Sequence, residues 1–346
     1  MKIKVDNDIL QMYVSAISKF TPARSPLPAA EFLMLDAKPD GCLWIKTSDP
    51  FGAVSASCRM EVPVEEAGEV LIPAKMLTSI LKQATSIVEI ESDGKTCDVR
   101  FGESSYTLAT MDPTEFPAMQ VALGEKIMIP QFGDLVTHTS AFAAKDGNLN
   151  AIWFHVDGGI KAEALTGYAG AVWTGEAEGK GDFAIRADHA EKIAALMDCA
   201  IDVTVDKKTV RFDSHSFSVT VARVMNDPFG LEKVCPKNIK GNFTFNTETL
   251  KNAVDAVSIV TEREPVDICF DSVTELSVKS ASASASAKVP CSMDGEKAEV
   301  SFNPKFLADV LKRCDDEVTV EAENRITAFC FRSGRGFFIV LPVKRR

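Results

Sequence analysis

The sequence predicts a strand-rich α+β chain built from three copies of one domain. Two features carry this expectation: an amphipathic helix segment that recurs three times, and a meander of three short strands that follows each occurrence. The helix segment occupies residues 72–82, 185–194 and 302–312. In the first copy Met76, Leu77, Ile80 and Leu81 mark one apolar stripe, and in the third Phe306, Leu307, Val310 and Leu311 mark the same one. The middle copy carries His189, Ala190, Ile193 and Ala194 there. Pro73 and Pro304 stand at the helix start, where a missing N–H costs little.

The segments after each helix alternate with period two. The expected strands are 87–91, 97–101 and 105–110 in the first copy, then 201–205, 210–212 and 216–221, then 317–321, 326–331 and 337–341. Asp93-Gly94 is a turn signal, and residues 333–336, Ser-Gly-Arg-Gly, form another. A second helix opens each copy, over residues 8–17, 134–142 and 247–257, with Asn7, Asn246 and the nearby Thr and Asp residues as candidate N-caps. Further strand-like sequence lies between the two helices, such as residues 31–35 and 42–46. The expected domains are residues 1–122, 123–241 and 242–346. Whole domains repeated in this way can close into a ring when the rotation between neighbours divides a circle evenly.

Composition narrows the class. The chain has 346 residues, 46% apolar and 25% charged, which is a globular balance rather than a disordered one. No run approaches the roughly 18 apolar residues of a membrane span, and the start, Met1-Lys2-Ile3-Lys4-Val5-Asp6, lacks the apolar stretch of a signal peptide. The formal charge of −11 argues against a nucleic-acid partner only if it is evenly spread. Nine cysteines stand apart, without the close pairs a zinc site needs, so reduced, mostly buried thiols and no metal are expected. His138, His155, His189 and His215 lack a matched carboxylate or cysteine in the sequence. No phosphate-binding glycine loop and no nucleophile elbow is present, so no catalytic residue and no cofactor is expected.

The repeat does single out basic residues. Lys75 and Lys82 are seven apart and share a helix face, and Lys305 and Lys312, joined by Arg313, hold the same positions in the third copy. A basic strip that meets a polyanion and an ordinary solvated face both suit this pattern. In the middle copy Asp188 and Ala195 stand in those places.

Three tracts carry a resemblance. Residues 109–117, Ala-Thr-Met-Asp-Pro-Thr-Glu-Phe-Pro, close the first repeat; Val234-Cys235-Pro236-Lys237 ends the second; residues 302–311 and Val340-Leu341-Pro342-Val343 belong to the third. In their order over the full length they make the chain similar to the bacterial DNA polymerase III beta sliding clamp family. The resemblance implies two chains joined head-to-tail into a six-domain ring, with helices lining the hole and strands outside. Such a ring encircles duplex DNA without sequence preference, tethers the polymerase, and lies in the cytoplasm with the nucleoid. Polymerase and clamp loader would dock through short linear motifs. A topological hold needs only weak, sequence-independent phosphate attraction, so the outside can be acidic.

The same resemblance assigns residues. Arg24 matches a DNA-contacting loop position, and Lys145 and Lys233 are further candidates, as is Lys237. The partner-peptide pocket maps to Leu149, Thr166, Ala171, Val172, Phe229, Val234, Ile339, Leu341, Pro342 and Val343. Tyr106, Leu108, Ile259 and Val260 match the dimer interface, near an Ala/Ser alternation over residues 280–287 that suits a strand with two small faces. One departure stands out: the family's Gly-His-Arg tract is replaced within Thr166-Gly167-Tyr168-Ala169-Gly170. This marks a divergent member. Two other readings stay open: a clamp-fold protein with altered partner or DNA binding, and an α+β enzyme with an inter-domain active site.

Overall fold

A computed structural model describes residues 1–197, 199–260 and 264–343. Six α-helices occur among the described residues: α1 Asn7–Ser18, α2 Ala74–Leu81, α3 Phe132–Thr139, α4 Ala187–Ala194, α5 Thr247–Ser258 and α6 Pro304–Leu311. They fall two to a repeat, as expected. None is long and apolar enough to cross a membrane.

The chain divides into two compact units, one comprising residues 1–132, 178–185 and 192–223 and the other residues 133–177, 186–191 and 224–346. Each unit holds one flanking repeat and part of the middle one. In the first unit, Phe217–Ala222 pairs antiparallel with Val54–Glu61, which joins middle-repeat strands to first-repeat strands in an eight-stranded sheet. A five-stranded sheet runs Val64–Glu66, Lys2–Asp6, Ile87–Ser92, Thr96–Phe101, Ser104–Ala109. In the second unit, Ala169–Gly175 pairs with Gly336–Val340. A four-stranded sheet runs Ser284–Pro290, Val273–Lys279, Val266–Phe270, Ala298–Phe302.

The helices form where the apolar spacing placed them, but the buried stripe is narrower. Ala74, Leu77, Ile80 and Leu81 bury one face of α2, while Met76 is 53% exposed. Met76 lies about 100° around the helix from Leu77, off the i, i+3, i+4 face that meets the core. Phe306 is likewise only half-buried, and Pro304, Leu307, Val310 and Leu311 form the buried face of α6. Helix α1 packs on α2, with the Ser18 and Thr78 hydroxyls 3.1 Å apart.

Several local expectations change. Of the candidate caps at the start of α1, Asp6 rather than Asn7 serves, accepting from the Asp8 amide at 3.0 Å. Asn7 is buried and donates through Nδ2 to the carbonyls of Leu81 and Ala84, satisfying backbone groups at the end of α2. Asn246 does cap α5, and Asn303 caps α6. Helix α3 begins at Phe132 and ends at Thr139, where a 3₁₀ turn, Ser140–Phe142, takes over. Residues 326–328 are not strand: the Asn324 side chain accepts from the amides of Ile326 and Thr327, turning the backbone before Phe329–Ser333 begins. Only the second half of the Ala/Ser alternation pairs. Residues 280–283 make a turn closed by Ser280, and Ser284–Pro290 is an edge strand.

Candidate functional site

In the second unit the Thr166–Gly170 tract is a tight hairpin. The Thr166 amide donates to the Ala169 carbonyl at 2.8 Å, and its hydroxyl accepts from the Ala169 amide at 3.1 Å. Gly167 takes φ +93°, which an L side chain would resist. Tyr168 is thereby held at the tip, 67% exposed, its ring stacked toward Phe306 of α6 with centroids 6.4 Å apart. The Tyr168 carbonyl accepts from the Leu341 amide at 2.8 Å, so the end of the last strand runs beside the hairpin. Pairing of Gly170 with Ile339, Ala171 with Phe338 and Val172 with Phe337 fixes the register beneath.

Ala171, Val172 and Ile339 are buried and can only be floor. Leu341 and Pro342 are half-buried and Val343 is exposed, with its amide donating to the Ser301 carbonyl at 2.8 Å. Phe229 is 53% exposed and Val234 half-buried, on either side of the 3₁₀ turn Leu231–Lys233. Glu163 anchors that turn. Buried in the apolar strand Ile160–Leu165, its carboxylate accepts from the Gly230 amide at 2.7 Å and the Leu231 amide at 3.1 Å. A Cβ on Gly170 would come within 2.8 Å of Leu231, so the glycine admits the turn against the sheet. Leu149 sits on a separate 3₁₀ turn, Gly147–Leu149, with its carbonyl accepting from the Ala144 amide. An apolar surface edged by a hairpin and the segment that follows the last strand is chemically suited to an extended peptide with apolar anchors.

The basic residues fall into two sets, one per unit. In the first unit Lys75 and Lys82 are exposed at either end of α2. Lys75 Nζ donates to the Ala23 carbonyl at 2.8 Å, so the loop that carries exposed Arg24 lies against the helix. In the second unit Lys305 and Lys312 are exposed on α6. Arg313 is committed inside the protein: its guanidinium donates to the carbonyls of Thr137 and Asp309 and lies 5.8 Å from the Phe142 ring centre. Lys145, Lys233 and Lys237 are exposed on turns.

Two sheet edges complete the picture. Tyr106 is exposed on the edge strand Ser104–Ala109, stacked on Phe101 at 5.8 Å, whereas Leu108 points into the core opposite Cys97. Ile259 at the end of α5 is 85% exposed and Val260 half-buried. Helix α5 packs over Ser284–Pro290, whose Ala285, Ala287 and Val289 face inward while Ser284, Ser286 and Lys288 face out. The small alanines permit that close approach.

Among the described residues no group of three or more His, Cys, Asp or Glu could hold a metal ion. One histidine does have a carboxylate, contrary to expectation. His138 Nδ1 lies 3.3 Å from an Asp134 carboxylate oxygen one helical turn away, and the ring stacks on Trp173 at 3.7 Å. Asp134 also accepts from Trp173 Nε1 at 2.8 Å and pairs with Arg335, so the cluster is a knot between α3 and the sheet.

Family models for the DNA polymerase III beta subunit match this chain at both ends. The N-terminal-domain model covers residues 1–120 and the C-terminal-domain model residues 232–326, together more than half of the chain. The chain belongs to the DNA polymerase III beta subunit family. A beta sliding clamp of Streptomyces coelicolor is 26% identical over 97% of this chain and 94% of its own length. The beta sliding clamp homolog GriR of Streptomyces muensis is 22% identical over 91% and 89%. Among solved structures, the sliding clamp of Bacillus subtilis superimposes with a TM-score of 0.93 at 18% identity, covering 100% of both chains. A Pseudomonas aeruginosa sliding clamp bound to griselimycin gives 0.94 at 19% identity, again over 100% of both. The α+β fold of repeated antiparallel sheets and helix pairs is thus the beta-clamp fold.

Two residues that shape this apolar surface, one on it and one beneath it, are absent from the sequence-based candidates. Tyr168 was visible as a departure from the family tract but not as part of the surface it stands on. Glu163 had a signal: a single carboxylate inside the apolar run Ile160-Lys161-Ala162-Glu163-Ala164-Leu165 must find buried donors.

Proposed function

We propose that this chain acts as a DNA sliding clamp: two copies close head-to-tail into a six-domain ring that encircles duplex DNA and holds the replicative polymerase to it. The observation that carries this reading is the family match at both ends, together with superposition on solved clamps over the whole chain. The family is a processivity factor, not an enzyme. It works in the cytoplasm on the nucleoid, and the three-domain division at residues 122 and 241 belongs to the same proposal.

The physics supports each part. Strands Ser104–Ala109 and Ser284–Pro290 end their sheets with unpaired backbone, and the first carries no charged residue. Such an edge invites a partner strand, and a second copy supplies one by joining Tyr106 to the Ile259–Val260 side. Lys75 and Lys82 in one unit, beside Arg24, and Lys305 and Lys312 in the other offer charge to phosphate, and the lysines do so as point charges without the bidentate fixation that would stop sliding. Polymerase and clamp loader dock by short apolar peptides on the surface made by Thr166, Phe229, Val234, Leu341, Pro342 and Val343, with Leu149 alongside.

Light scattering on the purified chain tests the ring, with a dimer expected at micromolar concentration. Loading with a clamp loader onto circular and linear DNA tests the topology: retention on closed circles and loss from linear ends is expected. Equal retention on both would replace a ring with ordinary surface binding.

A further inference from the structure

We infer that Cys235 and Cys330 form a peroxide-responsive dithiol site that closes to an intramolecular disulfide; this rests on the second unit alone and stands or falls separately from the clamp reading. The two sulfurs lie 3.8 Å apart although the residues are 95 positions apart in sequence. A disulfide needs about 2.0 Å, a gap that side-chain rotation and small backbone adjustment can close. Cys235 is half-buried, following the 3₁₀ turn Leu231–Lys233, while Cys330 is fully buried behind it on strand Phe329–Ser333. An accessible thiol backed by a shielded one is the arrangement of an attacking and a resolving cysteine.

The surroundings separate the two roles. Contact with the Cys330 sulfur holds the Cys235 thiol below its ordinary range, aided by the Arg332 guanidinium. The same contact, with burial, pushes Cys330 up. Arg332 stays in place through its ion pair with Glu321 at 2.5 Å. By contrast Cys58, Cys97 and Cys314 are each pushed up to about 12, with burial the main cause.

The oxidant is a hydroperoxide. Cys235 thiolate attacks one peroxide oxygen: an S–O bond forms, the O–O bond breaks, and the leaving oxygen takes a proton. Cys235 is then a sulfenic acid. The Cys330 sulfur attacks the Cys235 sulfur: the S–S bond forms, the S–O bond breaks, and hydroxide leaves with the Cys330 proton as water. Two thiols lose two electrons and the peroxide gains them. The bond would tie the Phe229–Val234 wall to the strand that pairs with Gly336–Val340, where Cys330 faces Ile339.

The test is a mass map of the reduced, full-length protein treated folded with hydrogen peroxide, quenched, then unfolded, alkylated and digested without reductant. The expected result is a cross-linked pair of peptides containing Cys235 and Cys330, two hydrogens lighter, with Cys58, Cys97 and Cys314 still alkylated. In Cys330→Ser, Cys235 should accumulate a dimedone-reactive sulfenic acid, and in Cys235→Ser, Cys330 should stay reduced. If Cys330→Ser does not fold, the wild-type map and Cys235→Ser decide. No cross-link while exposed Cys199 oxidises, or the same cross-link yield in urea-unfolded chain, would overturn the inference.

Discussion

The buried carboxylate of Glu163 accepts from the amide of Leu231, 68 residues downstream, at 3.1 Å, and from the neighbouring Gly230 amide at 2.7 Å. One side chain in a sheet thus fixes the turn between Phe229 and Val234. Replacing it by Ala leaves two amides without their acceptor, at a cost of about 1–3 kcal/mol for each group left buried. Glu163→Ala should lower the unfolding midpoint by several degrees and weaken binding of a clamp-binding peptide. Glu163→Gln, which keeps one acceptor, should fall between. Calorimetry and fluorescence anisotropy measure the two effects. Unchanged peptide affinity in a folded Glu163→Ala protein would separate the turn from the binding surface.

How much of this was legible in the sequence differs from residue to residue. The helix pairs and meanders were, because their spacing records which face is buried. Which of two adjacent good N-caps serves α1 was not. Asp6 and Asn7 are equivalent locally, and the choice was made by the Leu81 and Ala84 carbonyls, 74 and 77 residues away, which need the amide donor that only Asn has. The same limit hid Arg313. Its position seven after Phe306 says nothing of the Thr137 carbonyl that occupies it. The candidate pocket was legible as apolar residues, but the burial of Ala171, Val172 and Ile339 follows from strand pairing and so awaited the register.

Acid should act on the free edge of the first unit. The Thr107 hydroxyl donates to Asp98 at 2.6 Å and the Arg100 guanidinium adds a second bond, and together they hold the carboxyl below its ordinary range. A folded-state pKa below the unfolded one gives stability that is complete above the unfolded value of about 4 and is lost as pH falls through the folded value. Carboxyl NMR should show Asp98 titrating below that value, and Thr107→Val should raise it. An Asp98 that titrates near 4 in the wild type would remove the hydroxyl from this role.

Alkylation by iodoacetamide near neutral pH should sort the thiols by environment. Cys58, Cys97 and Cys314, pushed up to about 12, are almost wholly protonated there, and Cys58 and Cys97 are buried besides, so the three should react only on unfolding. Exposed Cys199 should react early, and half-buried Cys235, whose thiol is pulled down, should react in the folded protein as well. Time-resolved mass spectrometry gives the order. Early labelling of Cys58 would mean that strand Val54–Glu61 opens in the native protein.

Lys75, Lys82, Lys305 and Lys312 are exposed, and among the described residues only the Lys75 ammonium of these four makes a hydrogen bond, to the Ala23 carbonyl. Changing all four to Glu should therefore alter stability little, since exposed substitutions away from special contacts cost within about 0.5 kcal/mol each. It reverses the charge offered to phosphate on two helices. Loading onto circular DNA should fall at least about tenfold, given the steep dependence of such attraction on the number of neutralised phosphates, and the salt dependence of retention should flatten. The dimer should persist, because none of the four lies on strand Ser104–Ala109 or Ser284–Pro290. Loss of the dimer would make the lysines structural, and an intact dimer that loads normally would move the DNA contact to other residues, Arg24 first.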